Sequence, residues 1–501
     1  MADVSKWGVW EINLDGPKDG NPFAEQWVKL HVTSQNEDKE ADGFYDGEGR
    51  YIARFMPSFE GEYRYSLTAS FLKEAKTGTF TVGAAEKGNH GLVRVSRTWG
   101  LNYDDGEPYI SLGTTCYVWH LQSDELIEKT FETLKNSAFN KIRFCVFPKH
   151  YVYNFHEPRS YPFEGTPMDS SVLTRDNFNQ FKGAAEGNHW DFTRFHPAHF
   201  RHLENCVRRL GDMGIEADII LFHPYDRWGF SQMTEEEDLF YMRYIVARLG
   251  AYHHVWWSLA NEYDLMQKDD KRWLDIANVL CERDVYTHMR SIHNCRNIYD
   301  FTRPWCTHCS IQRTDTYSTV ENTDAWRVRY KKPVVLDEIA YEGDIQYGWG
   351  NITGEEMLRR FWETALRGGY PGHGETMTGY DDILWWSHGG ELHGESHKRF
   401  WFLKRIMELC PGNGLKPSES RRSDEVRAEP LEARYKGKFI LCYYSFMRPY
   451  FRDFYIDDTT VYDAYILDTW NCTCTKAGSY CGKFQVALPK KQYMAVLLIA
   501  K

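Results

Sequence analysis

The chain has 501 residues, of which 42% are hydrophobic and 26% charged, and its formal net charge is −11. This is ordinary globular composition, long enough for one large domain with smaller ones attached. An acidic chain without a Lys/Arg-rich run excludes a nucleic-acid partner, which needs a concentrated basic footprint. No apolar run approaches the ~20 residues of a membrane-spanning helix, so no membrane partner is expected. The N-terminus, "MADVSKWGVWEINLDG", lacks the basic head and apolar stretch of a signal peptide, which points to the cytoplasm. The twelve cysteines are scattered and read as small core residues in a reducing compartment. Cys306, His308 and Cys309 have side chains that suit zinc, yet no second Cys-x-x-Cys lies at finger-like spacing. No metal or other cofactor is expected.

Residues 1–88 alternate as half-buried strands do, with Tyr63, Tyr65 and Leu67 on one face, and predict a small Ig-like β-sandwich. Residues 89–411 change to alternating strands and helices. Strand-like runs fall at 108–119, 140–148, 215–224, 255–262, 303–310, 315–319, 333–338 and 382–390. Amphipathic stretches lie between most of them, the first opening with Ser123 as N-cap. Eight such units predict an α/β fold, a (β/α)8 TIM barrel, with the fifth and sixth connected too closely for a normal helix. A doubly wound sheet is the alternative, but no Gly-rich phosphate loop follows an early strand. The segment from His150 to Phe195 exceeds any usual connection, as functional lids and extra subdomains do. Residues 412–501 open with a charged linker and continue as a second, C-terminal β-sandwich. Aromatics are abundant at 16%, and their faces can stack on sugar rings.

In a (β/α)8 barrel the chemistry lies at the C-terminal ends of the strands. "VWWSLANEYD" (255–264) ends an apolar run on Asn261 and Glu262, and "PVVLDE" (333–338) ends another on Asp337 and Glu338. These are the fourth and seventh strands, whose tips face each other across the barrel mouth. Two opposed carboxyls, one holding a proton and one ionised, are what glycoside hydrolysis requires. Alternation along the strand favours Glu338 over Asp337, which it sends into the barrel wall.

With these residues the chain resembles the retaining glycosidases of the large barrel clan with catalytic glutamates on strands four and seven. The resemblance implies Glu262 as acid/base, Glu338 as nucleophile and Asn261 as donor to the sugar 2-hydroxyl. It also implies Arg143, His223 and Trp386, ending strands two, three and eight, as residues that orient the nucleophile or line the first subsite. The clan's strand-six His-x-Tyr is missing, since His308 and Tyr317 are too far apart, and Tyr317 is taken as the nucleophile's partner. "HPYDRWGFSQM" (223–233) and "HVWWSLANEYD" (254–264) extend the resemblance to glycosidases with an apiosidase-like barrel between two sandwiches, over essentially the whole chain. Tyr225 and Trp228 of the first motif are then expected at the substrate.

The combined reading is a retaining exo-β-glycosidase that takes a small carbohydrate substrate, with homo-oligomerisation left open. Its rivals are an inactive carbohydrate-binding protein, an endo-acting glycanase, and a metal-dependent hydrolase built on Cys306, His308 and Cys309.

Overall fold

In a computed structural model, which describes residues 2–183, 186–380, 384–419, 422 and 424–501, eight parallel strands form a barrel. In chain order they are Gly113–Thr115, Lys141–Cys145, Glu216–Phe222, Val255–Ala260, Arg290–Ser291, Cys309–Gln312, Val334–Glu338 and Tyr370–His373. The first pairs with the eighth, and a parallel bridge from His293 to Ser310 joins the fifth to the sixth. Helices cover the outside. Ser123 accepts from Leu126 N and caps Asp124–Lys135, while Thr234 and Glu237 form a reciprocal capping box on Glu235–Leu249.

Three expected strands lie elsewhere. The fifth is Arg290–Ser291 and the sixth Cys309–Gln312, so 303–308 and 315–319 are loop, and no helix separates the two strands. The eighth is Tyr370–His373, and Trp385–His388 is a single helical turn; residues 381–383 lie outside the described ones. "YPGH" carries no apolar alternation because its job is close approach. A Cβ on Gly372 would sit 2.6 Å from the Asp337 carbonyl oxygen and 2.8 Å from that of Leu336. Only glycine admits strand seven's backbone at that distance.

The barrel interior is layered. At the bottom Trp256, Tyr109, Met289, Val335 and Tyr370 form an apolar plug. Trp257 and Leu259, the alternate residues of strand four, belong instead to the helix-side core with Trp273 and Ile276. Above the plug, Lys141 Nζ donates to Asp218 and to Asp337 at 2.7 Å each, and Ser310 Oγ donates to Asp337 at 2.5 Å. Asp337 therefore points into the barrel interior, not into its wall as strand alternation had it. The pairing with strand six shifts register between Ser310 and Gln312, and this bulge lets two successive acids share the inner side. The third layer is the site.

Two β-rich regions flank the barrel. The N-terminal one has a five-stranded and a three-stranded sheet around a common core that includes Leu14, Leu30, Val32, Phe55, Tyr63 and Leu67. Arg54 ties it to the barrel helices through Glu204 (2.6 Å) and the Arg248 carbonyl (2.8 Å). The C-terminal region has a six-stranded and a two-stranded sheet. The stretch expected as its linker supplies two strands, Leu415–Pro417 and Val426–Pro430, because Val426, Ala428 and Pro430 alternate inward; residues 420, 421 and 423 lie outside the described ones. No helix among the described residues is long and apolar enough to cross a membrane.

Candidate active site

Strand four ends on an unusual turn. Glu262 adopts a left-handed conformation, φ 53° and ψ 54°, which costs a non-glycine residue and persists only where neighbours hold it. Here the Asn261 amide donates to the Phe222 carbonyl at 2.9 Å and the Tyr263 amide to the His293 carbonyl at 2.9 Å. Asp264 accepts from the backbone N–H groups of Cys295 (2.6 Å), Arg296 (2.8 Å) and Asn297 (2.8 Å), and the Tyr263 hydroxyl donates to the Asn297 carbonyl at 3.0 Å. Tyr263 and Asp264 thus brace the turn by tying down the loop after strand five.

Both glutamates are buried, Glu262 at 5% and Glu338 at 7% exposure. Each is held by a tyrosine: the Tyr225 hydroxyl donates to Glu262 Oε2, and the Tyr117 hydroxyl donates to Glu338 Oε1. Arg143 Nη1 donates to Asn261 Oδ1 at 2.8 Å and lies 3.5 Å from Glu338 Oε1. The Asn261 carbonyl oxygen is thereby occupied and its NH₂ is left to donate. Burial and the nearby Glu262 push the Glu338 carboxyl up, opposed by Arg143, Tyr117 and Lys149.

A ring of aromatic side chains surrounds the pair. Trp386 meets Tyr117 edge-on at 5.7 Å, Trp349 at 5.2 Å and Tyr151 at 6.1 Å, and Tyr151 packs on Tyr225 at 4.9 Å. Trp385, its neighbour, instead donates Nε1 to Thr114 Oγ1 at 2.8 Å inside the core. One Trp of the pair faces the pocket, as expected, but a helical turn rather than a strand divides them.

The structure thus brings together Glu262, Glu338, Asn261, Arg143, Tyr225 and Trp386. His223 lies at the edge of this group, its Nε2 3.3 Å from the Phe147 carbonyl; burial and the charge of Lys149 push its imidazole down to about 3, so it is neutral. Two expected residues are elsewhere. Tyr317 is 93% exposed on the loop after strand six and cannot partner Glu338. Tyr117, just past the end of strand one, does so. Trp228 is buried beneath the long loop, beside Phe230, with Nε1 3.3 Å from Glu157 and its carbonyl taken by Trp190 Nε1 at 2.8 Å. It holds that loop and does not line the aromatic ring. Its indole was read as a sugar platform from its motif, but a residue two turns of chain past a strand tip is free to fold back under a long insertion.

Sequence reasoning missed Tyr117, Lys149, Tyr151 and Trp349. The rule that places the chemistry at strand ends applies to Tyr117, two residues beyond Thr115. Replacing Tyr117 with Phe removes a hydrogen bond to a charged group worth ~1.5–3 kcal/mol, so kcat is expected to fall roughly 10- to 100-fold. The acidic limb of the pH profile should also move up, because a carboxylate that loses a donor binds its proton more tightly. Tyr317→Ala should stay within about twofold of wild type. A reversed pattern in steady-state kinetics would return the partner role to Tyr317.

Cys306, His308 and Cys309 are all buried. Among the described residues the one group of three placed to hold an ion is instead Glu342, His373 and Glu375. Its carboxylates are already occupied by N–H donors: Glu395 (2.6 Å) and Ser396 (3.0 Å) on Glu342, and His393 (2.6 Å) and Gly394 (2.8 Å) on Glu375. These bonds anchor the loop that follows Trp386.

Residues 97–405 match the apiosidase-like catalytic-domain family. The chain belongs to the apiosidase-like family. Residues 3–70 and 428–499 match two domains of unknown function, DUF5060 and DUF5605. This apiosidase-like chain is 33% identical to a Bacteroides vulgatus protein provisionally assigned as a glycoside hydrolase, with 99% of each chain covered and a TM-score of 0.90. A glycoside hydrolase family 5 protein from the same species is 16% identical, with 82% of this chain and 94% of that one covered and a TM-score of 0.61, and shares the fold. No curated protein matches. By these relationships the apiosidase-like chain is a glycoside hydrolase.

Proposed function

We propose that the protein is a retaining exo-β-glycosidase acting by double displacement. The observation that carries this reading is the pair Glu262 and Glu338 on the tips of strands four and seven, each gripped by a tyrosine, with Arg143 beside Glu338. Arg143 and Tyr117 both favour negative charge on Glu338, which makes it the nucleophile. Glu262 is then the acid/base, which donates a proton to the leaving oxygen and later draws one from water. The NH₂ of Asn261, its carbonyl side fixed by Arg143, is free for the sugar 2-hydroxyl. Trp386 offers the platform of the first subsite.

Exo action is supported by how the loops meet. Tyr151, from the long segment after strand two, lies 6.4 Å from Trp349, from the loop after strand seven. On this reading the two loops narrow the cleft, whereas an endo-acting enzyme needs both ends open to a polymer. On the same reading, residues 1–88 and 412–501 are sandwich domains supporting the barrel of 89–411. The intact acid pair argues against a protein that only binds carbohydrate.

The test is stereochemical. Proton NMR of the first turnovers on an aryl β-glycoside should show the β-anomer of the released sugar before mutarotation. First appearance of the α-anomer would establish inversion, the outcome expected of carboxyls ~6.5–9.5 Å apart rather than ~5–5.5 Å.

A further inference from the structure

Lys149 is a buried cation for which the mechanism above has no use. It follows strand two, is 4% exposed, and has its position set by neighbours on both sides. The His150 amide donates to the Tyr225 carbonyl at 2.8 Å, and His150 Nε2 lies 2.8 Å from the Phe178 carbonyl. The ammonium stands 3.3 Å from the ring centre of Tyr117, 4.4 Å from that of Tyr225, 4.8 Å from Trp386 and 5.7 Å from Tyr151. Tyr117 holds Glu338 and Tyr225 holds Glu262. Lys149 therefore sits over the floor of the pocket between the two halves of the catalytic apparatus.

Ring faces attract a cation but accept none of its N–H groups in a full hydrogen bond. Among the described residues no carboxylate stands within 4.0 Å of Lys149 Nζ. Walled by rings, the ammonium is left to pair with what enters the pocket. The nearest carboxylates are committed elsewhere. Glu338 accepts from Tyr117 and lies 3.5 Å from Arg143, and Glu262 accepts from Tyr225. Burial pulls the ammonium down to about 8, with Cys145, Glu262 and Glu338 holding it up, so it is charged at neutral pH. A second lysine, Lys182 of the long loop, stands 5.3 Å from the Tyr225 ring and 5.6 Å from the Tyr151 ring. The mouth of this acidic chain is thus locally cationic, which favours entry of anions.

We infer that the sugar bound against Glu338 carries a carboxylate, and that Lys149 recognises it: the substrate is a glycuronide rather than a neutral glycoside. This rests on the glycosidase reading above and adds its substrate class. A hydroxyl could accept from Lys149 but brings no opposite charge, whereas a carboxylate adds the Coulomb attraction of an ion pair shielded from bulk water. The contact with the Tyr117 ring, beside the nucleophile, assigns the carboxylate to the sugar that forms the ester and not to the leaving group.

The test compares two matched pairs, 4-nitrophenyl β-D-glucuronide with the β-D-glucoside, and the β-D-galacturonide with the β-D-galactoside. In wild type at least one acidic member should exceed its neutral partner in kcat/KM by roughly 100-fold. In Lys149→Met that ratio should fall to about one or below, and in Lys149→Arg much of it should return. A ratio is insensitive to a general loss of active protein. Tryptophan fluorescence of Glu338→Gln, titrated with free glucuronate, galacturonate, glucose and galactose, gives a readout that needs no turnover. Faster hydrolysis of the neutral members would overturn the uronide assignment and leave the glycosidase intact. Uronate binding that depends on Lys149, without hydrolysis of any pair, would keep the assignment and remove the glycosidase. Neither hydrolysis nor uronate binding would overturn both.

Discussion

Glu338→Gln is expected to lower kcat on an aryl β-glycoside by on the order of 10⁴-fold or more, since losing a covalent nucleophile removes the step on which the others depend. Gln keeps the shape and still accepts from Tyr117, so a fold intact by circular dichroism should accompany the loss. Glu262→Ala should behave differently. A dinitrophenolate leaving group needs no proton, so the glycosyl ester still forms on Glu338, but its hydrolysis stalls for want of a general base. A burst of dinitrophenol followed by slow turnover is the expected record. Azide needs no general base and should restore turnover of Glu262→Ala, attacking the ester from the face that water uses and giving a β-glycosyl azide. In Glu338→Ala, azide occupies the nucleophile's own place and should give the α-glycosyl azide. Exchange of these two products between the variants would mean that the two roles are assigned the wrong way round.

The second large effect lies beneath the site. Lys141 joins Asp218 and Asp337, and all three are buried in the barrel interior. Lys141→Met leaves two aspartates facing each other without the cation that bridges them and is expected to destabilise the fold by about 3–5 kcal/mol at neutral pH. The pH dependence carries the signature. In the wild type, burial works against the Asp337 charge, but Lys141 and Arg143 outweigh it and hold that carboxyl below the usual range. Its contribution is therefore present above the unfolded aspartate value and lost as the pH falls through the folded one. In Lys141→Met the sign reverses. The unpaired acids hold a proton more tightly when folded than when unfolded, so the variant should gain stability as the pH falls from 7 toward ~5. Urea denaturation at the two pH values measures this. A variant that loses stability on acidification in parallel with wild type would show that Lys141 does not govern the two acids. Lys141→Met also tests the site's foundation, because Asp337 and Glu338 are adjacent and a shifted Asp337 moves the nucleophile.

Much of this design could be read along the chain, where local chemistry and tertiary demand coincide. Strands four and seven are apolar runs that stop on an acid, and only an acid with a purpose is retained at the end of a buried strand. Arg143, expected from the resemblance, lies within strand two, and the division of Trp256 from Trp257 follows from a side-chain period of two. The eighth strand shows the limit. "YPGH" is chosen for backbone proximity, which leaves a glycine and a proline where a pattern search expects apolar alternation. The stronger apolar run nearby, Leu384–Trp386, forms a helical turn that delivers one indole to the core and one to the pocket.

The sequence alone determined the barrel class, the two glutamates and the residues nearest them, because each belongs to one strand and its register. Only the tertiary structure decided which tyrosine grips Glu338. Tyr117 and Tyr317 are equivalent as letters, and closure of the barrel puts one against Glu338 and the other in solvent. The same holds for Lys149. In sequence it is one of many lysines on a loop, and its wall of rings exists only once Tyr117, Tyr225 and Trp386, from three separate strand ends, have closed around it. Register is a property of neighbours in the chain. Burial, and the charge balance that follows from it, is a property of what the fold brings together.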